Sequence, residues 1–204
     1  TPSKLCSNGD RWKGRNARRD PLPLIPAEKT NKLVMTALMM CMIIVLTMFV
    51  KVPIPLTQGY VHLGDAMIFI SVMLLGWKYG AAATAMGSAM ADIFCGVAMW
   101  APWTLVIKFI MAMIMGLILD RGGEHISVVR QITAMAAGGL FMVAGYFAAE
   151  GIMYGNWAAA ALGIPWNIGQ FVVGMIIAVA LSAALCRTSA GRLFTYRLAG
   201  KKNA

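Results

Sequence analysis

The sequence predicts an all-α integral membrane protein: a bundle of six transmembrane helices with both termini in the cytoplasm. Three observations predict it. Of 204 residues, 59% are hydrophobic and 13% charged, with a mean hydropathy of +0.70, whereas a soluble domain is about half apolar and about a quarter charged. A chain of this size gives most of its surface to its surroundings, so this much apolar side chain cannot be hidden in one water-soluble core. The apolar residues also fall in runs close to the roughly 17–25 residues with which a helix crosses a bilayer. Lysine and arginine, finally, gather on alternate connections, as they do on the cytoplasmic side of membrane proteins.

Residues 1–31 carry Arg11, Lys13, Arg15, Arg18 and Arg19 together with Pro21, Pro23 and Pro26. That composition has too little apolar surface to fold alone, and it reads as a basic, proline-containing cytoplasmic tail. A membrane domain follows over 32–188, with apolar stretches at 32–50, 63–77, 79–95, 101–119, 131–150 and 165–186. The second stretch is short; it spans if the bilayer thins locally or if it joins the turn before it and packs inside the bundle. Six helices are expected, with five plus a re-entrant segment as the alternative. Residues 189–204 form a basic cytoplasmic C-terminal tail. No small-residue cleavage site follows the first apolar run, so no cleaved signal peptide is expected.

An even number of spans puts both termini on one side. With the termini inside, sixteen of the eighteen lysines and arginines are cytoplasmic, and only Lys51 and Lys108 are left over. The net charge of +10 is therefore read as topology and not as nucleic-acid binding. The outer surface then consists of the connections 51–62, 92–100 and 151–164. The first holds two prolines and a glycine, which makes it extended and turning.

Several function classes are excluded. Cys6, Cys41, Cys95 and Cys186 lie far apart without a CxxC pair, which argues against zinc, a redox motif or a disulfide framework. No GxxxxGK(S/T) loop, kinase signature, HExxH or GxSxG occurs, so the chain is not expected to hydrolyse ATP or to act as an enzyme. No metal or cofactor is expected.

Ionisable groups inside a bilayer cost about 2.5–3.5 kcal/mol each on insertion scales and are functional candidates. Here they are Asp65, Asp92, Lys108 and Glu150, with the polar companions His62, Asn167 and Gln170. The predicted topology puts all of them in the outer half, which suggests one outward-facing pocket. Each has a plainer alternative: Asp65 as a helix cap, Asp92 and Glu150 at interfacial water, Lys108 snorkelling outward, His62 at the interface. Tyr60, Trp100, Trp103, Tyr146, Tyr154, Trp157, Trp166 and Phe171 crowd the same level, either as an interfacial belt or as flat walls for a planar ring. Trp100 or Trp103 is expected to stack on the ligand. Three acids against one lysine favour a neutral or cationic heteroaromatic ligand over a polyanion. Small residues recur every four positions at Ala81, Ala85 and Ala89, and more weakly at Ala37 and Cys41. Such stripes serve packing within the bundle or docking of another membrane subunit.

The segments Gly59-Tyr-Val-His-Leu-Gly-Asp65, Leu74-Leu-Gly-Trp-Lys-Tyr-Gly80, Gly87-Ser-Ala-Met-Ala-Asp92 and Trp100-Ala-Pro-Trp-Thr104, with Lys108, resemble the substrate-binding S components of energy-coupling factor (ECF) vitamin transporters. The likeness covers roughly residues 32–188. It implies a six-helix subunit of the bacterial plasma membrane that binds a vitamin, joined to a membrane coupling subunit (T component) and two cytoplasmic ATPase subunits. It also implies that small residues of the first helices, here Ala37 and Cys41 or the Ala81, Ala85, Ala89 stripe, contact the coupling subunit. Among S components the likeness is to those for hydroxymethylpyrimidine or pyridoxine. The binding residues expected are Asp65, Asp92, Trp100, Trp103, Lys108, Glu150, Asn167 and Gln170, closed by a loop carrying Gln58, Tyr60 and His62. A stand-alone carrier in which Asp92 or Glu150 takes up protons is the alternative.

The basic-residue count makes a direct prediction. A membrane-impermeant thiol reagent should label a cysteine placed at Gly155 from outside and one placed at Gly123 only from inside; the reverse pattern would overturn the depth assignments.

Overall fold

A backbone in hydrocarbon must satisfy its own hydrogen bonds, so apolar stretches become helices. The computed structural model describes residues 27–53, 60–123 and 125–198. Helix α1 (Ala27–Phe49) is followed by a two-stranded antiparallel strap, β1 (Lys51–Pro53) and β2 (Tyr60–His62), in which Lys51 pairs with His62. Then come α2 (Gly64–Phe94), a 3-10 turn at Ala98–Trp100, α3 (Ala101–Asp120), β3 (His125–Ile126), α4 (Val128–Tyr154) and α5 (Trp157–Leu185). A 3-10 turn at Ser189–Leu193 leads to β4 (Arg197–Leu198), which pairs in parallel with β3. Ser127 caps α4 by accepting from the Arg130 amide at 3.2 Å, and Asn156 caps α5 by accepting from the Ala159 amide at 3.0 Å. Between these two helices Gly155 adopts φ 64°, a left-handed conformation that glycine takes without a Cβ penalty.

Among the described residues five helices are long and apolar enough to cross a membrane, where six were expected. The difference lies in α2, which contains both the second and the third apolar stretch and is interrupted at Gly76 (φ 77°, ψ 175°). Along a straight helix, residues eight apart are separated by about 12 Å. Here a Cβ on Gly80 would stand 2.7 Å from Val72 Cα, and the Ser71 and Thr84 hydroxyls are 3.2 Å apart. The chain therefore doubles back at Gly76, and α2 is a hairpin of two arms, 64–75 and 77–94. The first arm is about 18 Å long at 1.5 Å per residue, short of the roughly 30 Å hydrocarbon core. Ile68, Phe69, Val72 and Met73 on it are fully buried, because the other helices wrap it.

A reversal leaves the carbonyls of the preceding turn without donors, and buried unpaired carbonyls are costly. The chain beyond α5 supplies the donors. The Tyr196 amide donates to Met73 O at 3.0 Å, and the Thr195 amide and hydroxyl donate to Leu74 O at 3.2 and 2.8 Å. The Tyr196 hydroxyl donates to Asp120 Oδ1 at 3.0 Å, and Phe194 and Tyr196 are buried. The stretch 189–198, expected to belong to a tail, is thus a clamp on the hairpin bend.

Close helix approaches occur at glycines. A Cβ on Gly87 would meet Met40 O of α1 at 3.2 Å, one on Gly138 would meet Met111 O at 2.8 Å, and one on Gly174 would meet Asp65 Cβ at 2.9 Å. The last contact lets α5 lie against the start of α2.

The bend makes a testable demand. The φ and ψ of Gly76 belong to a region nearly restricted to glycine, where another residue costs about 1–3 kcal/mol. A Cβ there would have room, with Thr195 Cγ2 at 3.5 Å, so the cost is conformational. Gly76→Ala should lower the midpoint of thermal unfolding in detergent, whereas Gly169→Ala, where a Cβ would meet nothing within 4 Å, should not.

Candidate functional site

Lys108 and Asp65 are each 0% exposed and form a direct ion pair, Nζ to Oδ1 at 2.5 Å. Removing two charges from water is repaid only when the geometry is good and the remaining lone pairs and protons are satisfied. Both conditions are met. The other oxygen of Asp65 accepts from Gln170 Nε2 at 2.9 Å. Lys108 also points at Met142 Sδ at 2.9 Å and lies 5.7 Å from the centroid of the Tyr146 ring, close enough for a cation–π attraction. Asp65 makes no capping bond at the start of α2; its partners are side chains of α3 and α5.

The strap is tied to this centre. Gln170 Oε1 accepts from the His62 backbone amide at 2.9 Å. The imidazole Nδ1 accepts from the Gly64 amide at 3.0 Å and lies 3.4 Å from the Thr47 hydroxyl of α1. Nδ1 therefore carries no proton, and the neutral ring holds it on Nε2. His62 is half-buried and Tyr60 pairs with Pro53 in the strap; Gln58 lies outside the described residues.

Two faces zip together beside the ion pair. From the N-cap of α3 into the helix, Trp100, Thr104 and Lys108 recur every four residues; on α4, Met142, Tyr146, Glu150 and Tyr154 do the same, so each set lines one side of its helix. Lys108 meets Met142, the Tyr146 hydroxyl donates to Thr104 Oγ1 at 3.2 Å, and the Trp100 ring lies 6.1 Å from Tyr146 and 6.2 Å from Tyr154, tilted against both. Trp100 is buried, yet its indole Nε1 finds no hydrogen-bond partner among the described residues, and neither does Glu150 Oε2. Glu150 is packed against α5, since a Cβ on Gly163 would stand 2.8 Å from Oε2.

The remaining expected residues are placed as follows. Asp92 is buried at the end of the second arm of α2. Asn167 is buried and donates to Gly163 O of its own helix at 3.1 Å. Trp103 is half-buried against the core. Ala81, Ala85 and Ala89 are buried inside the chain, where they pack the bundle. Ala37 and Cys41 face outward.

The family model for the ECF-type riboflavin transporter S component matches residues 27–187. The chain belongs to the ECF transporter S-component family. The S component is 27% identical, over 82% of its length and 95% of the relative's, to the thiamine precursor transporter HmpT of Lactococcus lactis subsp. cremoris. It is also 38% identical to a protein in the gap 3′ region of Pyrococcus woesei, over 65% of this chain and 86% of that one. Its fold matches the crystal structure of an S component for biotin from an ECF-type ABC transporter, with a TM-score of 0.66 at 17% identity, covering 84% of this chain and 99% of that one. The S component is a multi-pass membrane subunit of a transporter and not an enzyme.

Sequence reasoning missed Met142 and Thr47. The four-residue spacing from Met142 to Tyr146 and Glu150 was a signal for the first. Thr47, one hydroxyl in an apolar helix, had none.

Burial strips water from His62 and Lys108 repels its proton, while Asp65 works the other way; its pKa falls from 6.5 to about 4. A folded-state pKa below the unfolded one means that protonation favours unfolding. The contribution of His62 is therefore complete above about pH 6.5 and declines as the pH falls toward about 4. The unfolding midpoint of the S component should drop over this window more steeply than that of a His62→Gln variant. Equal slopes would show that the ring is not held neutral.

Proposed function

We propose that this S component captures a small planar heteroaromatic vitamin or precursor from outside, hydroxymethylpyrimidine first and pyridoxine second. It then delivers the compound through an ATP-driven complex with a membrane coupling subunit (T component) and two cytoplasmic ATPase subunits. The observation that carries this reading is the pairing of a rigid, buried Asp65–Lys108–Gln170 centre with an aromatic wall of Trp100, Tyr146 and Tyr154. Beside that wall lie a donor, the Trp100 indole N–H, and an acceptor, Glu150 Oε2, that nothing in the chain satisfies among the described residues. Buried polar groups demand partners, and a ring with an amino or hydroxymethyl substituent and ring nitrogens offers both. The thiamine precursor transporter among its relatives supports the same substrate class.

In this reading the two arms of α2 count as separate crossing segments, which brings the spans to six, and the basic residues hold both termini in the cytoplasm of the plasma membrane. The loop that carries Gln58, Tyr60 and His62 in the sequence closes the outer entrance. Its release breaks the bond between the His62 amide and Gln170 and so exposes the carboxamide that braces Asp65. Asp92 and Asn167 border the same space, and Trp103 flanks it. The outward face of α1 at Ala37 and Cys41 meets the coupling subunit.

Liposomes test the proposal. Radiolabelled hydroxymethylpyrimidine should accumulate only when the S component is reconstituted with its coupling and ATPase subunits and ATP, and Trp100→Leu should weaken binding at least tenfold, about 1.4 kcal/mol. Sustained concentrative uptake by the lone chain under a proton gradient would overturn the proposal in favour of a proton-coupled carrier.

A further inference from the structure

At the end of the bundle where α3 and α5 stop, the clamp encloses a cavity of about 210 Å³ whose lining includes His125, Thr188, Arg192 and Arg197. It lies apart from the Asp65–Lys108 centre and shares no residue with it. Its described lining holds two arginines and no acid. The arginines are set by the fold: Arg197 stands in β4 opposite His125, and its guanidinium donates to Arg192 O at 3.1 Å. Arg192 itself is exposed, so its fork is open to a ligand from outside the chain.

Apolar side chains adjoin this basic cavity in the chain. Leu193, next to Arg192, is 57% exposed, and Val128 and Val129, just after β3, are 45% and 71% exposed. A free anion needs no such neighbours. A phospholipid does, since its phosphate seeks arginine forks while its acyl chains seek apolar surface. The cavity also lies where the apolar helices α3 and α5 end, which in the proposed topology is headgroup level, and basic pockets at the ends of transmembrane helices recognise anionic headgroups.

We propose that this cavity binds the phosphate of an anionic phospholipid, with Arg192 and Arg197 on the phosphate, Thr188 and His125 beside it, and the acyl chains along Leu193, Val128 and Val129. The bound lipid bridges β4 and β3 and so braces the clamp that closes the hairpin bend at Gly76.

Native mass spectrometry of the full chain, incubated with phosphatidylglycerol or with phosphatidylcholine of the same chains, tests this. Phosphatidylglycerol adducts should exceed phosphatidylcholine adducts at least tenfold. They should be lost in Arg192→Gln, whose exposed side chain is not needed for folding, and in Arg192→Gln/Arg197→Gln, and be kept in Arg187→Gln, which alters a charge outside the cavity. Bound phosphatidylglycerol should also raise the unfolding midpoint of the parent and not of Arg192→Gln. Equal binding of the two lipids, or parent-like phosphatidylglycerol binding by Arg192→Gln, would overturn the proposal. Full displacement by millimolar inorganic phosphate would overturn it too, by making the cavity a site for free anions.

Discussion

The ion pair between Lys108 and Asp65 is the constraint on which one half of this molecule is built. In a low-dielectric interior a lone charge is expensive, and losing one partner of a buried pair typically costs about 3–5 kcal/mol. Everything around the pair meets that demand. Gly174 removes a side chain so that α5 can reach Asp65, Gln170 takes up the second carboxylate oxygen, and Met142 and the Tyr146 ring face the ammonium. Because these groups come from α2, α3, α4 and α5, one electrostatic requirement sets the mutual rotation of four helices. The strap inherits its position from the same centre, through the amide of His62.

The opposite end obeys a different rule. A hairpin bend at Gly76 lets the first arm, shorter than the hydrocarbon core, pack inside the bundle, but it strips donors from the carbonyls of Met73 and Leu74. The chain beyond α5 returns to supply those donors and buries Phe194 and Tyr196 in doing so. The first arm is thus held between an ion pair at its beginning and a backbone clamp at its end. This explains how the shortest apolar segment in the chain is also the most buried.

Between the two ends lies the ladder of α3 against α4. Its rungs change character along the helices: an ammonium on a thioether, a phenol on a threonine hydroxyl, an indole between two tyrosine rings. Polar groups along this ladder change from satisfied to unsatisfied: Lys108 meets Asp65 and Met142, whereas Trp100 Nε1 and Glu150 Oε2 find no partner among the described residues.

The sequence by itself determined that the chain lives in a membrane, that its apolar runs are helices, and that its few buried ionisable residues deserve scrutiny. Hydropathy and charge are local properties summed over windows, so they survive without knowledge of neighbours. Its motifs also pointed to the S-component family. Tertiary structure alone decided which acid Lys108 meets: Asp65, 43 residues earlier, and not Asp92 or Glu150. It decided too that Ala81, Ala85 and Ala89 turn inward, that Asn167 bonds to its own helix, and that α2 folds back at Gly76 under a clamp from the C-terminal stretch. Each of these depends on how helices are rotated and packed against one another, and spacing along one helix gives the face of a residue without naming the partner that the face will meet.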